Sequence, residues 1–223
     1  STVSALNTNT VRSLTTAQIV ALTTLQAANL TTATIKALST SQIAVLETSD
    51  IEALSIESLA ALTSEQIVAL STSQIANLSS SQNIQLAEAR LGAFSASQIL
   101  AFYTTRLAAL STSAIASLTT MQVPVLSTDQ IVSLTTTQIS VLNSKLVGEL
   151  TTNQLSVLTF AKLNALDLAS VPGLIGSQVI GLTTVQTAGL NTAVVAALNT
   201  STVSNLTTAQ IAALTTDQAF NLT

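Results

Sequence analysis

The chain repeats one pattern of apolar and polar residues every eight positions. Leucine occupies every eighth position from Leu6 to Leu222, except where Phe94 and Phe102 replace it. No insertion or deletion breaks this register along the 223 residues. A fixed period of this kind indicates one small structural unit copied end to end, with each copy packed on its neighbours. We number the positions of each octad from its leucine, as offset 0 to offset 7.

The polar positions of the octad predict the start of a helix. Ser, Thr, Asn or Asp occupies offset 1 in 24 of 28 octads, and Gln occupies offset 4 in 15 of them. This spacing forms a capping box, in which each of the two side chains accepts a hydrogen bond from the other residue's backbone N–H. The leucine before the cap and the aliphatic residue at offset 5 then form a hydrophobic staple. The whole signal recurs along the chain, and two examples are Leu206, Thr207, Gln210 and Ile211, and Leu70, Ser71, Gln74 and Ile75.

These starts leave room for only about six helical residues before the next leucine, which is fewer than two turns. Offset 5 and the following leucine are three positions apart, so they share one helix face. The apolar burial within one octad cannot offset the backbone entropy that the octad loses on folding, so stability must come from the stacking of octads on one another. We therefore predict an all-α solenoid, with one very short helix per octad and the aliphatic pair in its interior. The domain prediction is one continuous array over residues 1–223.

Two other architectures fit the sequence less well. In a long helix or coiled coil, leucines spaced by eight would drift around the surface, because a coiled-coil seam needs a period near seven or eleven. A β-solenoid suits the many Thr, Ile and Val residues. However, offsets 0 and 5 have opposite parity, so they cannot share one face of a strand. Six glycines are also few for so many tight turns, and the β-solenoid is kept only as the alternative fold.

The repeat departs from its consensus first around residues 83–108. Asn83 occupies a staple position and Ala87 a cap position, and three aromatic residues follow: Phe94, Phe102 and Tyr103. One interpretation is an aromatic contact surface. The simpler interpretation is that the two phenylalanines, one octad apart at leucine positions, stack in the core. We expect the second.

A second irregular stretch covers residues 143–176. Non-consensus residues occupy offsets 2 to 4 there, and a proline with two glycines follows: Lys145, Leu146, Phe160, Lys162, Leu168, Pro172, Gly173 and Gly176. Proline fits poorly inside a helix, and glycine loosens one. These residues predict a bend or an irregular unit. A domain boundary is not expected, because the leucine register continues through Leu174.

Charge and composition exclude several kinds of function. The chain has six Lys and Arg against ten Asp and Glu, which is too few scattered cations for nucleic-acid binding. It has no histidine or cysteine, so we predict no enzyme, no cofactor and no catalytic residue. Carboxylates are concentrated near one region: Glu47, Asp50, Glu52, Glu57 and Glu65. Their different offsets point them in different directions, which predicts a solvated face and no metal site.

The mean hydropathy is high, at +0.59, yet no segment can span a membrane as a helix. The longest apolar run, Ala193–Leu198, has six residues. No signal peptide is visible, and the chain starts inside a repeat, as a mature product or a piece of a longer array would. Asn-x-Ser/Thr sequons, which predict possible glycosylation, begin at five residues: Asn29, Asn77, Asn199, Asn205 and Asn221.

The octad Leu-Thr-Thr-Ala-Gln-Ile-Ala-Ala at residues 206–213, with close copies elsewhere, resembles octapeptide repeats in very large bacterial secreted or surface proteins. Those proteins are commonly labelled adhesin-like or haemagglutinin-like. The resemblance implies an extracellular or cell-surface location and a structural or adhesive role. Near-consensus octads at both ends predict either a slice of a much longer array or self-association, in which head-to-tail contacts between copies build open filaments. The alternative is an adhesin stalk or binding module for cells or glycans. Ice binding by the Thr pairs is a further option, which capping by those hydroxyls would exclude.

Overall fold

The computed structural model describes residues 7–222, so Leu6 and Thr223 lie outside the described residues. Within that range the chain forms 24 short α-helices and three 3-10 turns, with no β-strand. The predicted all-α solenoid of short helices is confirmed, and the β-solenoid alternative is wrong. Apart from one longer helix, the α-helices have four to six residues, close to the predicted six.

Backbone packing divides the chain into two compact units at Leu110 and Ser111. The helices of the first unit are α1 Thr8–Ser13, α2 Thr16–Val20, α3 Thr24–Ala28, α4 Thr32–Ala37, α5 Thr40–Ala44, α6 Thr48–Ala53, α7 Ile56–Ala60, α8 Ser64–Ala69, α9 Thr72–Asn77, α10 Ser80–Arg90, α11 Ala96–Leu100 and α12 Thr104–Ala108. A 3-10 turn, Leu91–Ala93, follows α10.

The helices of the second unit are α13 Thr112–Ala116, α14 Thr128–Ser133, α15 Thr136–Ile139, α16 Ser144–Gly148, α17 Thr152–Ser156, α18 Phe160–Leu163, α19 Gly176–Ile180, α20 Thr184–Gly189, α21 Thr192–Ala197, α22 Thr200–Val203, α23 Thr208–Ala213 and α24 Thr216–Phe220. Two octads of this unit form 3-10 turns instead of α-helices, at Val123–Val125 and Val171–Gly173. Each of those turns contains a proline, Pro124 and Pro172.

Within each unit, a helix packs mainly against the helix three octads further along the chain. In the first unit α2 packs on α5, and α5 packs on α8. In the second unit α20 packs on α23. Each unit is therefore a coil with three octads per turn, a number that the sequence pattern alone does not supply.

In most octads the aliphatic pair faces the interior of the coil, as predicted. Ile43 and Leu46 are 0% and 3% exposed, and Ile139 and Leu142 are similarly buried. The two large side chains at offsets 5 and 8 therefore form a continuous apolar core within each unit. This burial supplies the main stabilising free energy that a single octad lacks.

The helices begin where the sequence predicts. Thr207 accepts a hydrogen bond from the backbone N–H of Gln210 at 3.2 Å, and Gln210 Oε1 accepts from the N–H of Thr207 at 2.8 Å. Ser71 and Gln74 form the same pair. Three helices start without a side-chain cap, and the residues before them, Glu47, Tyr103 and Ile175, are the non-consensus cap residues.

The fourth non-consensus cap, Ala87, has a larger effect. Helix α10 continues through this position and reaches 11 residues, because alanine favours helix and offers no hydroxyl to start a new one. Asn83, inside the same helix, is fully buried and donates from Nδ2 to the carbonyl of Ile75 at 2.9 Å. The predicted irregularity near residue 83 is thus one continuous helix that extends from one octad into the next.

Phe94 and Phe102 are both 3% exposed, so they belong to the core and form no surface patch. Their rings meet edge to face, with centroids 5.0 Å apart and an interplanar angle of 89°. The expectation that these rings stack in adjacent octads of the core is confirmed. Tyr103 differs, since it is exposed. The guanidinium carbon of Arg106 lies 4.5 Å from the centroid of its ring.

The predicted irregular stretch at residues 143–176 contains the Val171–Gly173 turn, but its glycines do not act as expected. A Cβ atom on Gly173 would lie 2.1 Å from the backbone oxygen of Ser144. A Cβ atom on Gly148 would lie 3.0 Å from the oxygen of Gly173. The expectation that glycine loosens this unit is therefore wrong at Gly173, where the missing side chain lets two segments pack closely.

Candidate functional site

The recurrent site of the molecule is a buried glutamine that joins successive turns of the coil. Gln74 is 2% exposed, and its Oε1 accepts the cap hydrogen bond from the N–H of Ser71. Its Nε2 points the other way and donates to the carbonyls of Ile43 at 3.1 Å and Leu46 at 2.7 Å. One side chain therefore starts its own helix and also donates to two carbonyls at and just beyond the end of α5, in the preceding turn of the coil.

The same contact recurs in both units. Nε2 donates to the leucine carbonyl 28 residues earlier, over 2.5–2.9 Å, from these glutamines: Gln42, Gln66, Gln74, Gln82, Gln98, Gln154, Gln178, Gln186, Gln210 and Gln218. We call this contact the glutamine tie. The last carbonyls of a helix have no partner inside it, so the tie supplies one where water is excluded.

Other donors at offset 4 make a similar contact. The hydroxyl of Ser58 donates to the carbonyl of Leu30 at 2.7 Å, and that of Thr202 donates to Leu174 at 2.9 Å. Arg106 donates to Leu78 at 3.0 Å, and Lys162 donates to the carbonyl of Val132. Burial lowers the pKa of both of these cations. Most octads have a side-chain donor at this position, most often glutamine, whereas Ala114, Leu146 and Val194 have none.

The sequence pattern predicted only the capping role of this glutamine, for which glutamate serves equally well. Yet no octad has glutamate at offset 4. A carboxylate can accept from the cap N–H, but it has no hydrogen to donate to the previous turn. The absence of glutamate was the signal in the sequence for a second, donating partner.

The carboxylate-rich region does not form a common solvated face. Glu47, Glu52, Glu57 and Glu65 are exposed, whereas Asp50 is 1% exposed and occupies offset 4. The prediction of a solvated face is therefore wrong at Asp50. Burial, and secondarily the charge of Glu47, raise the pKa of Asp50. Across residues 7–222 no three acidic residues converge in a way that could hold a metal ion.

The sequon asparagines at offset 7 take part in local hydrogen bonds. The amide nitrogens of Asn29, Asn77, Asn205 and Asn221 each donate to the carbonyl four residues earlier. The side chain of Asn199 caps α22 and donates to the carbonyl of Pro172. These residues thus have a structural use at the ends and starts of helices.

In the first and last described turns, the donor and the acceptor of the glutamine tie each occur without the other. Gln18 and Gln26 form capping boxes, but their amide nitrogens donate to no described residue. At the other end, no described side chain donates to the carbonyls of Leu206 and Leu214. Ile211, a core position elsewhere, is 45% exposed. Among the described residues, the first turn of the first unit therefore presents donors, and the last turn of the second unit presents acceptors beside Ile211.

A family model for the ALTTAQ repeat matches residues 3–32, 28–55, 43–80 and 101–136. These matches cover more than half of the chain. The chain belongs to the ALTTAQ repeat family. No curated protein matches it. Among residues 7–222 of this ALTTAQ repeat protein, no helix is long and apolar enough to cross a membrane.

Proposed function

We propose that this ALTTAQ repeat chain is a structural protein whose copies associate head to tail into an extracellular filament or rod on a bacterial surface. The observation that carries the proposal is the glutamine tie, which joins successive turns within each unit through the same donor and acceptor. The first described turn offers the amides of Gln18 and Gln26, and the last offers the carbonyls of Leu206 and Leu214. A second copy would repeat at this junction the tie that joins turns within each unit.

Apolar burial supports the same junction. Ile211 is 45% exposed, while the equivalent Ile67 and Ile75 are fully buried beneath a following turn. Covering it with another turn would remove apolar surface from water. A contact of this head-to-tail kind does not close on itself, so it builds filaments. The proposal includes no catalytic role, in keeping with a sequence that lacks histidine and cysteine. The surface location rests on the resemblance to secreted octapeptide-repeat proteins.

Sedimentation velocity and negative-stain electron microscopy over a range of concentrations test this function. The wild-type chain should form fibres longer than one molecule as its concentration rises. The double variant Gln18→Glu/Gln26→Glu keeps the cap-accepting oxygens but loses the donors, so it should remain as single chains. The matched control, Thr16→Glu/Thr24→Glu, adds the same charge at exposed positions of α2 and α3 and should still assemble.

Dispersed short rods at every concentration would contradict head-to-tail assembly and favour the adhesin stalk instead. Ice binding is disfavoured by the cap geometry, because the offset-1 hydroxyls accept backbone hydrogen bonds, as Thr63 does from Gln66. We expect no thermal hysteresis from the purified chain.

A further inference from the structure

One gap interrupts the row of carbonyls that are tied between turns in the first unit. Between Leu14 and Leu78, all but one of the periodic leucine carbonyls accept a hydrogen bond from an offset-4 side chain of the following turn. The carbonyls that do so are those of Leu14, Leu30, Leu38, Leu46, Leu54, Leu62, Leu70 and Leu78. The exception is Leu22, whose carbonyl accepts none from the described residues. Asp50, 28 residues later, occupies the offset-4 position that would serve it.

The Asp50 side chain has the complementary defect. It is 1% exposed, and its Oδ2 is buried without any hydrogen-bond partner. An ionised carboxylate has no hydrogen for the Leu22 carbonyl and meets it with like partial charge. A protonated carboxyl group has one O–H donor, as the hydroxyl of Ser58 has for Leu30.

The charges around Asp50 favour the protonated form. Its own octad contributes two carboxylates, Glu47 and Glu52. Helix α6 packs on α3 and α9, and neither of those helices contains an ionisable side chain. No cation on the packed elements therefore compensates a negative charge at this buried position, and burial raises the pKa of Asp50.

We propose that Asp50 is a proton-operated tie, which in acid donates to the Leu22 carbonyl and on ionisation releases α6 from α3. The sign of the pH dependence follows from linkage. Because the folded-state pKa of Asp50 is raised above its ordinary value of 3.8, the folded chain holds this proton more tightly than the unfolded chain. The tie is fully formed below that ordinary value, and its stabilisation is lost as pH rises through the folded-state pKa. This switch is independent of head-to-tail assembly, since it lies inside one unit.

Carboxyl carbon NMR on chain labelled at aspartate tests the protonation directly. The sequence has only four aspartates, Asp50, Asp129, Asp167 and Asp217, so the spectrum is simple, and Asp50→Asn identifies the Asp50 signal. The pH at the midpoint of the Asp50 titration should be higher than the midpoints of the other three aspartates. An Asp50 midpoint equal to theirs would overturn the proposal. A midpoint that falls further in calcium chloride than in sodium chloride of equal ionic strength would also overturn it, because a bound calcium ion would then neutralise the carboxylate.

Amide hydrogen exchange in α3 and α6 tests the tie itself. Protection factors of the wild type, relative to Asp50→Asn, should decline as pH rises, because the asparagine keeps a donor at all pH values. Asp50→Leu removes both the charge and the donor. It should lack the pH dependence and protect α3 less than the wild type does in acid. Equal protection in Asp50→Leu and acidified wild type would show that no hydrogen bond forms to Leu22.

Discussion

Gln74 Nε2 lies 2.7 Å from the carbonyl oxygen of Leu46, a residue 28 positions earlier in the chain. The same amide group accepts the cap hydrogen bond of its own helix through Oε1, at 2.7 Å from the N–H of Ser71. A polar side chain that is 2% exposed is tolerated because each of its polar atoms has a partner. Helix initiation and the joining of turns thus depend on one residue.

Gln74→Glu separates these two roles. The carboxylate can still accept from the N–H of Ser71, but it faces the carbonyls of Ile43 and Leu46 without a hydrogen to donate. Because this introduces an uncompensated buried charge, we expect a loss of about 3–5 kcal/mol in the free energy of unfolding. Urea denaturation followed by circular dichroism measures it.

The matched control is Gln18→Glu, which makes the same substitution in the first described turn. Gln18 forms a capping box but is exposed and ties no earlier turn. Its effect should stay below about 0.5 kcal/mol. Equal losses in the two variants would mean that Gln74 contributes only through its cap.

The core side chains and the cap contribute different amounts to the free energy of unfolding, and substitutions at three neighbouring residues distinguish these contributions. Leu134 and Ile139 are 1% and 0% exposed, and Thr135 caps α15 by accepting from the N–H of Gln138 at 3.2 Å. Leu134→Ala and Ile139→Ala should each cost about 2–5 kcal/mol, because each leaves a cavity. Thr135→Ala should cost about 1 kcal/mol through the lost cap. Equal, negligible shifts in thermal melts of the three variants would be incompatible with this structure.

The aromatic pair allows a measurement of coupling inside the core. Phe94 and Phe102 meet edge to face with centroids 5.0 Å apart. A double-mutant cycle with Phe94→Leu and Phe102→Leu, each restoring the consensus residue, should give a coupling free energy of about 0.5–1.5 kcal/mol. Urea denaturation of the four proteins provides it. Strictly additive effects would show that the rings fill volume without a specific contact.

Helix starts were predictable because a capping box and its staple join residues only three to five positions apart. The exceptions were predictable too, since Glu47, Tyr103 and Ile175 lack a suitable cap side chain and their helices begin without one. The burial of the aliphatic pair follows from the same local geometry, as both positions lie on one helix face.

The number of octads per turn was not predictable from this local pattern. It depends on the angle between successive helices, which is set by packing between residues 24 or more positions apart. For that reason the partners of Gln74 Nε2, and the burial of Asp50, were both missed. The same limit applies to Gly173, whose close contact with Ser144 is also between distant segments.

That contact leads to a last prediction, Gly173→Ala. The glycines of the described residues have no positive φ angle, so alanine meets no conformational penalty at Gly173. Its Cβ would instead lie 2.1 Å from the backbone oxygen of Ser144, which cannot move without shifting α16. We expect a loss of about 1–3 kcal/mol from overpacking. Gly181→Ala is the control, because its Cβ would contact the Thr152 side chain at 3.0 Å and require only a small adjustment. Thermal unfolding of both variants decides the matter: if Gly173→Ala melts at or above the temperature of Gly181→Ala, the close packing of the Val171–Gly173 turn on α16 is wrong.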